Sequence, residues 1–286
     1  MQVKQHFDLT NYNSYRIQAF CRIAYFPTCA EEFIEIYSKH KPNEIVIIGG
    51  GWNIILSKSN YDMVFIIVGD SFSSIRKLGK GSIECEAGAN TKDFSEFALA
   101  HGLTGAEIFY DIPSSIGGAV VMNAGASGEE IKDILVNVSY LDLQDMQIKE
   151  IQNKAIGFEY RNSFFQKNTD KIVLKAWFQL EEEDPMVIRQ KMEKIKEARW
   201  AKQPKNLPNA GSVFKRPKGF YVGAIIDDLN LKGYSVGGAQ ISKKHGGFIV
   251  NFNKAKGQDI IEIIQHVQQL AKEKFNVDLE VEQRII

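Results

Sequence analysis

The sequence predicts an α+β protein with more than one domain, and three observations predict it. Short apolar, strand-like runs dominate the chain as far as about residue 180. Two glycine clusters, at 49–51 and 117–128, each lie next to such runs. Long amphipathic helical patterns follow only after Pro185. A chain of 286 residues has room for two or three domains.

Taken in order, "TCAEEFIEIYSKH" reads as a helix. Thr28 is its cap, Glu31 the reciprocal acid, and Phe33, Ile36 and Tyr37 its buried stripe. Strands follow at "EIVIIG", "MVFIIV" and "SIECEAG". "TKDFSEFALAHG" is a short helix ending on Gly102. After a glycine-rich stretch from Gly102 to Gly128, "LVNVSYLDL", "QIKEIQ" and "KIVLKAWFQL" are strands. "EEEDP" reads as a linker. Beyond it, Ile188, Met192, Ile195 and Arg199 share one helical face, and "GQDIIEIIQHVQQLAKEKF" is a strongly amphipathic helix. "VDLEVEQRII" closes the chain as a strand, with Glu280 and Glu282 on one face.

Several function classes are disfavoured by composition. Lys+Arg and Asp+Glu number 35 each, so no net charge favours nucleic acid or a polybasic membrane surface. The three cysteines contain no C-x-x-C pair, and the five histidines show no metal spacing, so no metal is expected. "MQVKQHFDLTNYN" has no apolar signal core, and no run approaches the roughly 18 apolar residues of a membrane helix. A soluble, cytoplasmic protein is expected.

"VIIGGGWNIIL" places three glycines directly after a strand. Bare backbone of this kind can cradle phosphate with N–H groups, or simply make a tight turn. It is not the dinucleotide fingerprint, because Ile54 stands where the third glycine belongs and no helix follows. "IPSSIGGAVVMNAGASGEE" adds Gly117, Gly118 and Gly125 among small residues. Two such clusters in one lobe suggest a long cofactor laid on backbone, and a flavin dinucleotide suits this better than a nicotinamide one.

The ordered set of motifs resembles the UDP-N-acetylenolpyruvoylglucosamine reductases. The matching stretches are "NSYRI", "GGGWNIIL", "EAGA", "GLTGAEIFYDIPSSIGGAVVMNAGASG", "FEYRNSFF", "KQP", "NAGSVFKRP", "GGAQISKKHGGFIVN" and "LEVEQR". They run in one order over nearly the whole chain and match the shorter type of this family. The resemblance implies an FAD- and NADPH-dependent enzyme of peptidoglycan precursor synthesis, reducing a UDP-sugar enolpyruvyl ether. It implies an FAD lobe of the vanillyl-alcohol-oxidase (PCMH) type in two parts, 1–60 and 61–185. A substrate lobe, 186–278, follows, and residues 279–286 return to the first part. A monomer is expected.

That chemistry needs a cation for the substrate carboxylate, a proton donor, and polar groups where charge develops. Arg161 suits the first role through its planar fork. The resemblance assigns Ser212 as proton donor to the enolate and Glu282 as the acid working beside Arg161; by register alone Glu280 could serve as well. For FAD it implies Gly49, Gly50, Gly51, Asn53, Gly88, Ala89, Pro113, Ser114, Ser115, Gly117, Gly118, Asn123, Ala124 and Gly125. For the sugar diphosphate, Lys202, Lys215, Arg216, Gln240 and His245 are the candidates. The chain departs from the family pattern at Trp52, usually Ser, at Asp111 and Ser114, and in lacking Gly-Gly-Pro after "YRI". Two other readings stay open: a related FAD oxidoreductase with another substrate, and a flavin- or sugar-nucleotide-binding protein without turnover.

Overall fold

The computed structural model describes all residues, 1–286. The chain packs as two compact units, each discontinuous in sequence. The first comprises Met1–Lys4, Ile23–Gly50 and Met63–Ala198; the second comprises Gln5–Arg22, Gly51–Asp62 and Arg199–Ile286.

In the first unit a five-stranded antiparallel sheet has the order Gln147–Gln152, Leu135–Asp142, Lys171–Gln179, Ser82–Glu86, Ile75–Lys77. Helix Thr91–Ala100 supplies Phe94, which lies against Phe178 of the third strand with ring centroids 4.6 Å apart. Both rings are fully buried, and each contributes about 2–3 kcal/mol of transfer free energy. Helix Ala30–Lys39 buries Phe33, Ile36 and Tyr37, the stripe its spacing predicts. Ile45–Ile48 pairs in parallel with the end of Asn60–Ile67, from Ile45 opposite Val64 to Ile48 opposite Ile67. The first of these precedes the glycine triplet, and the second lies beyond the short run Ile54–Ile55 that follows it.

In the second unit Ser235–Val236, Ala239–Ile241 and Ile249–Asn251 form an antiparallel sheet. Helix Gly257–Phe275 buries Ile260, Ile263, Ile264, Val267 and Ala271, as its 3.6-residue period requires. At its start the Asp259 carboxylate accepts from Lys256 N (2.9 Å) and Gly238 N (3.0 Å). Arg284–Ile285 pairs in parallel with Ile54–Ile55.

Four local expectations change. The first helix is not capped by Thr28: Cys29 holds the N-cap position, and Thr28 N and Oγ1 bond to Glu32, not Glu31. "EEEDP" is not a free linker, because Glu181–Glu182 pairs with Leu103–Thr104. The closing segment is strand only at Arg284–Ile285, preceded by a single bridge from Val281 to Phe214. The second glycine cluster contains a helix, Ile116–Met122. A seven-residue element with two glycines is too short for periodicity to reveal it. The expected boundary at Pro185 and the packing break at Arg199 lie on one helix, Pro185–Lys202. No helix is long and apolar enough to cross a membrane.

Candidate active site

The two glycine clusters meet in the first unit. A Cβ on Gly49 would overlap Ser115 Oγ, so glycine at 49 lets the triplet lie against the start of helix Ile116–Met122. Gly51, with φ +71°, opens the second unit, where any Cβ would collide with the Tyr12 carbonyl. The triplet is thus where the chain passes from one unit to the next. The "IPSS" loop is fastened by Thr91, whose Oγ1 donates to Ile112 O (2.6 Å) and whose N–H donates to Ser114 O (3.0 Å).

The amides opening helix Ile116–Met122 serve the fold. Ile116 N donates to Ala89 O and Gly117 N to Ala87 O, both at 2.8 Å, and Gly118 N donates to Ser115 Oγ at 3.3 Å. Glycine at 117 answers a packing demand: its Cβ would sit 3.0 Å from that of Ala87. Gly88 is also a close-approach glycine, set against the carbonyls of Gly69 and Phe72. Ala89 N donates to Glu86 O at 3.0 Å. Pro113 is exposed, Ser114 half-buried.

Arg161 is built onto the other end of the same helix. Asn123 caps it in the left-handed conformation, φ +46°, and is fully buried. Asn123 Nδ2 donates to Glu130 Oε2 (2.9 Å) and to Glu159 O (3.0 Å), tying the turn that carries Arg161 to the cap. Arg161 itself has φ +53°. Its Nη1 donates to Asn123 O (3.2 Å) and Nη2 to Gly125 O (2.6 Å). Carbonyls at a helix C-terminus carry partial negative charge, which favours a guanidinium there. Glu130 Oε1 stands 4.0 Å away, and the Tyr160 ring lies 5.1 Å from the guanidinium carbon. Ala124 N donates to Ala119 O at 2.9 Å, closing the helix end.

In the second unit the segments carrying Ser212 and Glu282 run next to each other. Gly211 takes φ +78°, and the exposed Ser212 that follows bridges Phe248. Glu282 N donates to Val213 O at 2.8 Å, so the acid lies one residue from the serine across this ladder. Asn53 Nδ2 donates to Glu282 O (3.2 Å), and Asn53 O accepts from Arg284 N (2.9 Å). Asn53, expected at the cofactor, therefore anchors the acid's segment. Glu280 is exposed and bonds Lys215 Nζ at 2.6 Å, which distinguishes it from half-buried Glu282.

Of the expected substrate residues, Lys215 is engaged by Glu280, while Arg216 is exposed and stacks on Tyr221 with its guanidinium carbon 3.9 Å from the ring centroid. Lys202 is exposed in the last turn of its helix. Gln240 Nε2 donates to Gly233 O at 3.2 Å. His245 Nδ1 accepts from Gly247 N at 3.1 Å, which leaves Nε2 as the protonated nitrogen of the neutral ring. Burial holds this imidazole pKa below its ordinary value.

The family description "UDP-N-acetylenolpyruvoylglucosamine reductase, C-terminal domain" matches residues 203–286, and "FAD binding domain" matches residues 22–151. A UDP-N-acetylenolpyruvoylglucosamine reductase of Francisella tularensis is 39% identical, over 99% of this chain and 100% of its own. The chain belongs to the UDP-N-acetylenolpyruvoylglucosamine reductase family. A member from Caldanaerobacter subterraneus is 38% identical over 97% of this chain and 91% of its own. The crystal structure of the reductase from Thermus caldophilus superimposes with a TM-score of 0.84 at 28% identity, covering 99% of this chain and 98% of that one. The α+β fold with an FAD-binding lobe is the fold of this family.

Every residue expected at FAD falls within the matched stretch 22–151. Ser212, Lys215, Arg216, Gln240, His245 and Glu282 fall within 203–286, and Arg161 lies between the two. With the helix's opening amides engaged by the fold, what the first unit offers a diphosphate is the Gly49–Gly50 backbone and the hydroxyls of Ser114 and Ser115. Glycine backbone lies against two serine hydroxyls, and the first turn of helix Ile116–Met122 carries no acidic residue. Trp52 and Asp111, the departures from the family pattern, are both half-buried. Tyr15, Gln283 and Glu130 were given no role by sequence reasoning. Nothing local marks them, since each acts through a partner made adjacent by folding.

Proposed function

We propose that the chain catalyses the NADPH-dependent reduction of UDP-N-acetylglucosamine enolpyruvate to UDP-N-acetylmuramate, with Arg161, Ser212 and Glu282 as its catalytic residues. FAD, when bound, supplies the hydride carrier between NADPH and the substrate double bond. Reduction leaves an enolate beside the substrate carboxylate, and this negative charge is what the protein must stabilise. Arg161, charged throughout and pre-oriented by two carbonyls, faces that carboxylate. Ser212 Oγ delivers the proton to the α-carbon, and its exposure lets solvent replace it. Glu282 polarises the enol from the adjoining ladder. The observation that supports this reading is the Glu282 N to Val213 O bond, which brings the acid's backbone within one residue of the serine's.

Gly49, Gly50, Gly51, Ser114 and Ser115 would hold the FAD diphosphate. Lys202, Arg216, Gln240 and His245 would line the sugar-nucleotide site, with Lys215 released from Glu280 if it takes part. We assign 1–60 and 61–185 to FAD, 186–278 to substrate, and 279–286 to the first part. The pairing of Arg284–Ile285 with Ile54–Ile55 supports that return. We further propose a cytoplasmic monomer that binds neither nucleic acid nor membrane. The test is NADPH oxidation by FAD-loaded protein with and without the enolpyruvyl sugar nucleotide. Stimulation supports the reading. Bound flavin without stimulation replaces it with another substrate or a protein without turnover.

A further inference from the structure

We infer that Gln283 is a positioning residue for the Ser212–Glu282 pair, oriented from its far side by Tyr15. Gln283 is 4% exposed and Tyr15 fully buried. Gln283 Nε2 donates to Ala210 O at 3.0 Å, with Gly211 O and Ser212 O each at 3.3 Å. Three consecutive carbonyls thus converge on one amide nitrogen. The amide oxygen must then face the opposite way, where Tyr15 OH donates to Oε1 at 3.0 Å. Asn251 holds the tyrosine in turn, its Nδ2 donating to Tyr15 O at 2.8 Å and its Oδ1 accepting from Ala255 N at 2.8 Å.

The covalent arrangement makes this consequential. Gln283 directly follows Glu282, and the carbonyls it grips belong to the turn that presents Ser212. One side chain therefore braces the spacing that the Glu282 N to Val213 O bond sets. Gly211 at φ +78° gives that turn a conformation with little steric restraint of its own. An apolar side chain at 283 would fill the volume but leave buried carbonyls unpaired, and the turn would shift to find water. Misplacing a reacting group by about 1 Å can cost on the order of 100-fold in rate.

This inference rests on the roles proposed for Ser212 and Glu282, so its test separates the two half-reactions in the FAD-loaded protein. Stopped-flow absorbance follows flavin bleaching by NADPH, then flavin recovery on adding the enolpyruvyl sugar nucleotide. Gln283→Met should slow recovery at saturating sugar nucleotide by about tenfold or more and leave bleaching within about twofold. It should also speed amide hydrogen exchange in residues 210–214. Tyr15→Phe keeps the grip on the carbonyls and should slow recovery by only about threefold, again with bleaching unchanged. Gln283→Glu keeps the tyrosine's acceptor but loses the donor, and should resemble Gln283→Met. Equal slowing of both half-reactions, or of neither, in an otherwise active protein overturns the inference. If Gln283→Met does not fold, the selective effect of Tyr15→Phe decides, and no effect overturns it. Should the unaltered protein show no recovery with the sugar nucleotide, the proposed function fails. Unchanged exchange at 210–214 in Gln283→Met then overturns the positioning role separately.

Discussion

In the first unit the Arg161 guanidinium makes its own restraining bonds, to Asn123 O and Gly125 O. In the second, the turn carrying Ser212 is gripped through its carbonyls by Gln283, a side chain of the neighbouring segment that also carries Glu282. The difference separates function from fold unequally. Replacing Arg161 removes a charge and also unpins the end of helix Ile116–Met122. Replacing Ser212 removes a hydroxyl and leaves the grip on its turn in place.

Ser212→Ala should separate the two units most strongly. Loss of a proton donor should lower the rate of flavin recovery by about 10²- to 10⁴-fold. The melting temperature should stay where it was, because no bond of the turn is lost. A large fall in melting temperature would show that the hydroxyl is structural. Arg161→Lys keeps the charge but not the fork, and should lower kcat/KM for the sugar nucleotide by about 10²- to 10³-fold. Here a parallel loss of stability is expected, read as a lower urea midpoint. Without that loss, the contrast between the two sites disappears.

Asn123→Ala tests the support of Arg161 without touching it. The residue is fully buried in a left-handed cap and its amide satisfies Glu130 and Glu159. Unfolding in urea should show about 1–3 kcal/mol of lost stability. The activity loss should be smaller than for Arg161→Lys. The smallest effect concerns His245. Burial holds its folded pKa below the ordinary 6.5, so the unfolded chain binds its proton first as pH falls. Its contribution to stability is full above that value and is lost as pH falls below it. His245→Gln should flatten the stability profile as pH falls below about 6.5, and an unchanged slope would assign the pH dependence to other groups.

Some of the site could be read without a fold. Helix Gly257–Phe275 and the stripe of Phe33, Ile36 and Tyr37 follow from spacing alone, because helical periodicity is a property of neighbouring residues. The motif around Arg161 and the serine after Gly211 were likewise legible. The roles of several glycines were not. Gly117 sits in a helix and is small because Ala87 presses on it, and Gly49 is small because Ser115 does. A glycine in a sequence announces a close approach or a left-handed backbone, but not which of the two, nor what approaches.

Periodicity along the chain was enough for helices whose 3.6-residue stripe runs for several turns, but not for the alternating closing segment, which is strand only at Arg284–Ile285. The sequence by itself also determined the chemical types available for binding and catalysis. Folding is what pairs Glu280 with Lys215, bonds the Glu282 backbone to Val213 next to Ser212, and lets Asn53 hold the Glu282 carbonyl. It alone decided that Tyr15 reaches Gln283 across 268 positions of chain. The physical reason is one of range. Backbone preference and side-chain periodicity act over a turn or two, whereas a buried polar group must be paired wherever folding brings a partner, at whatever separation along the chain.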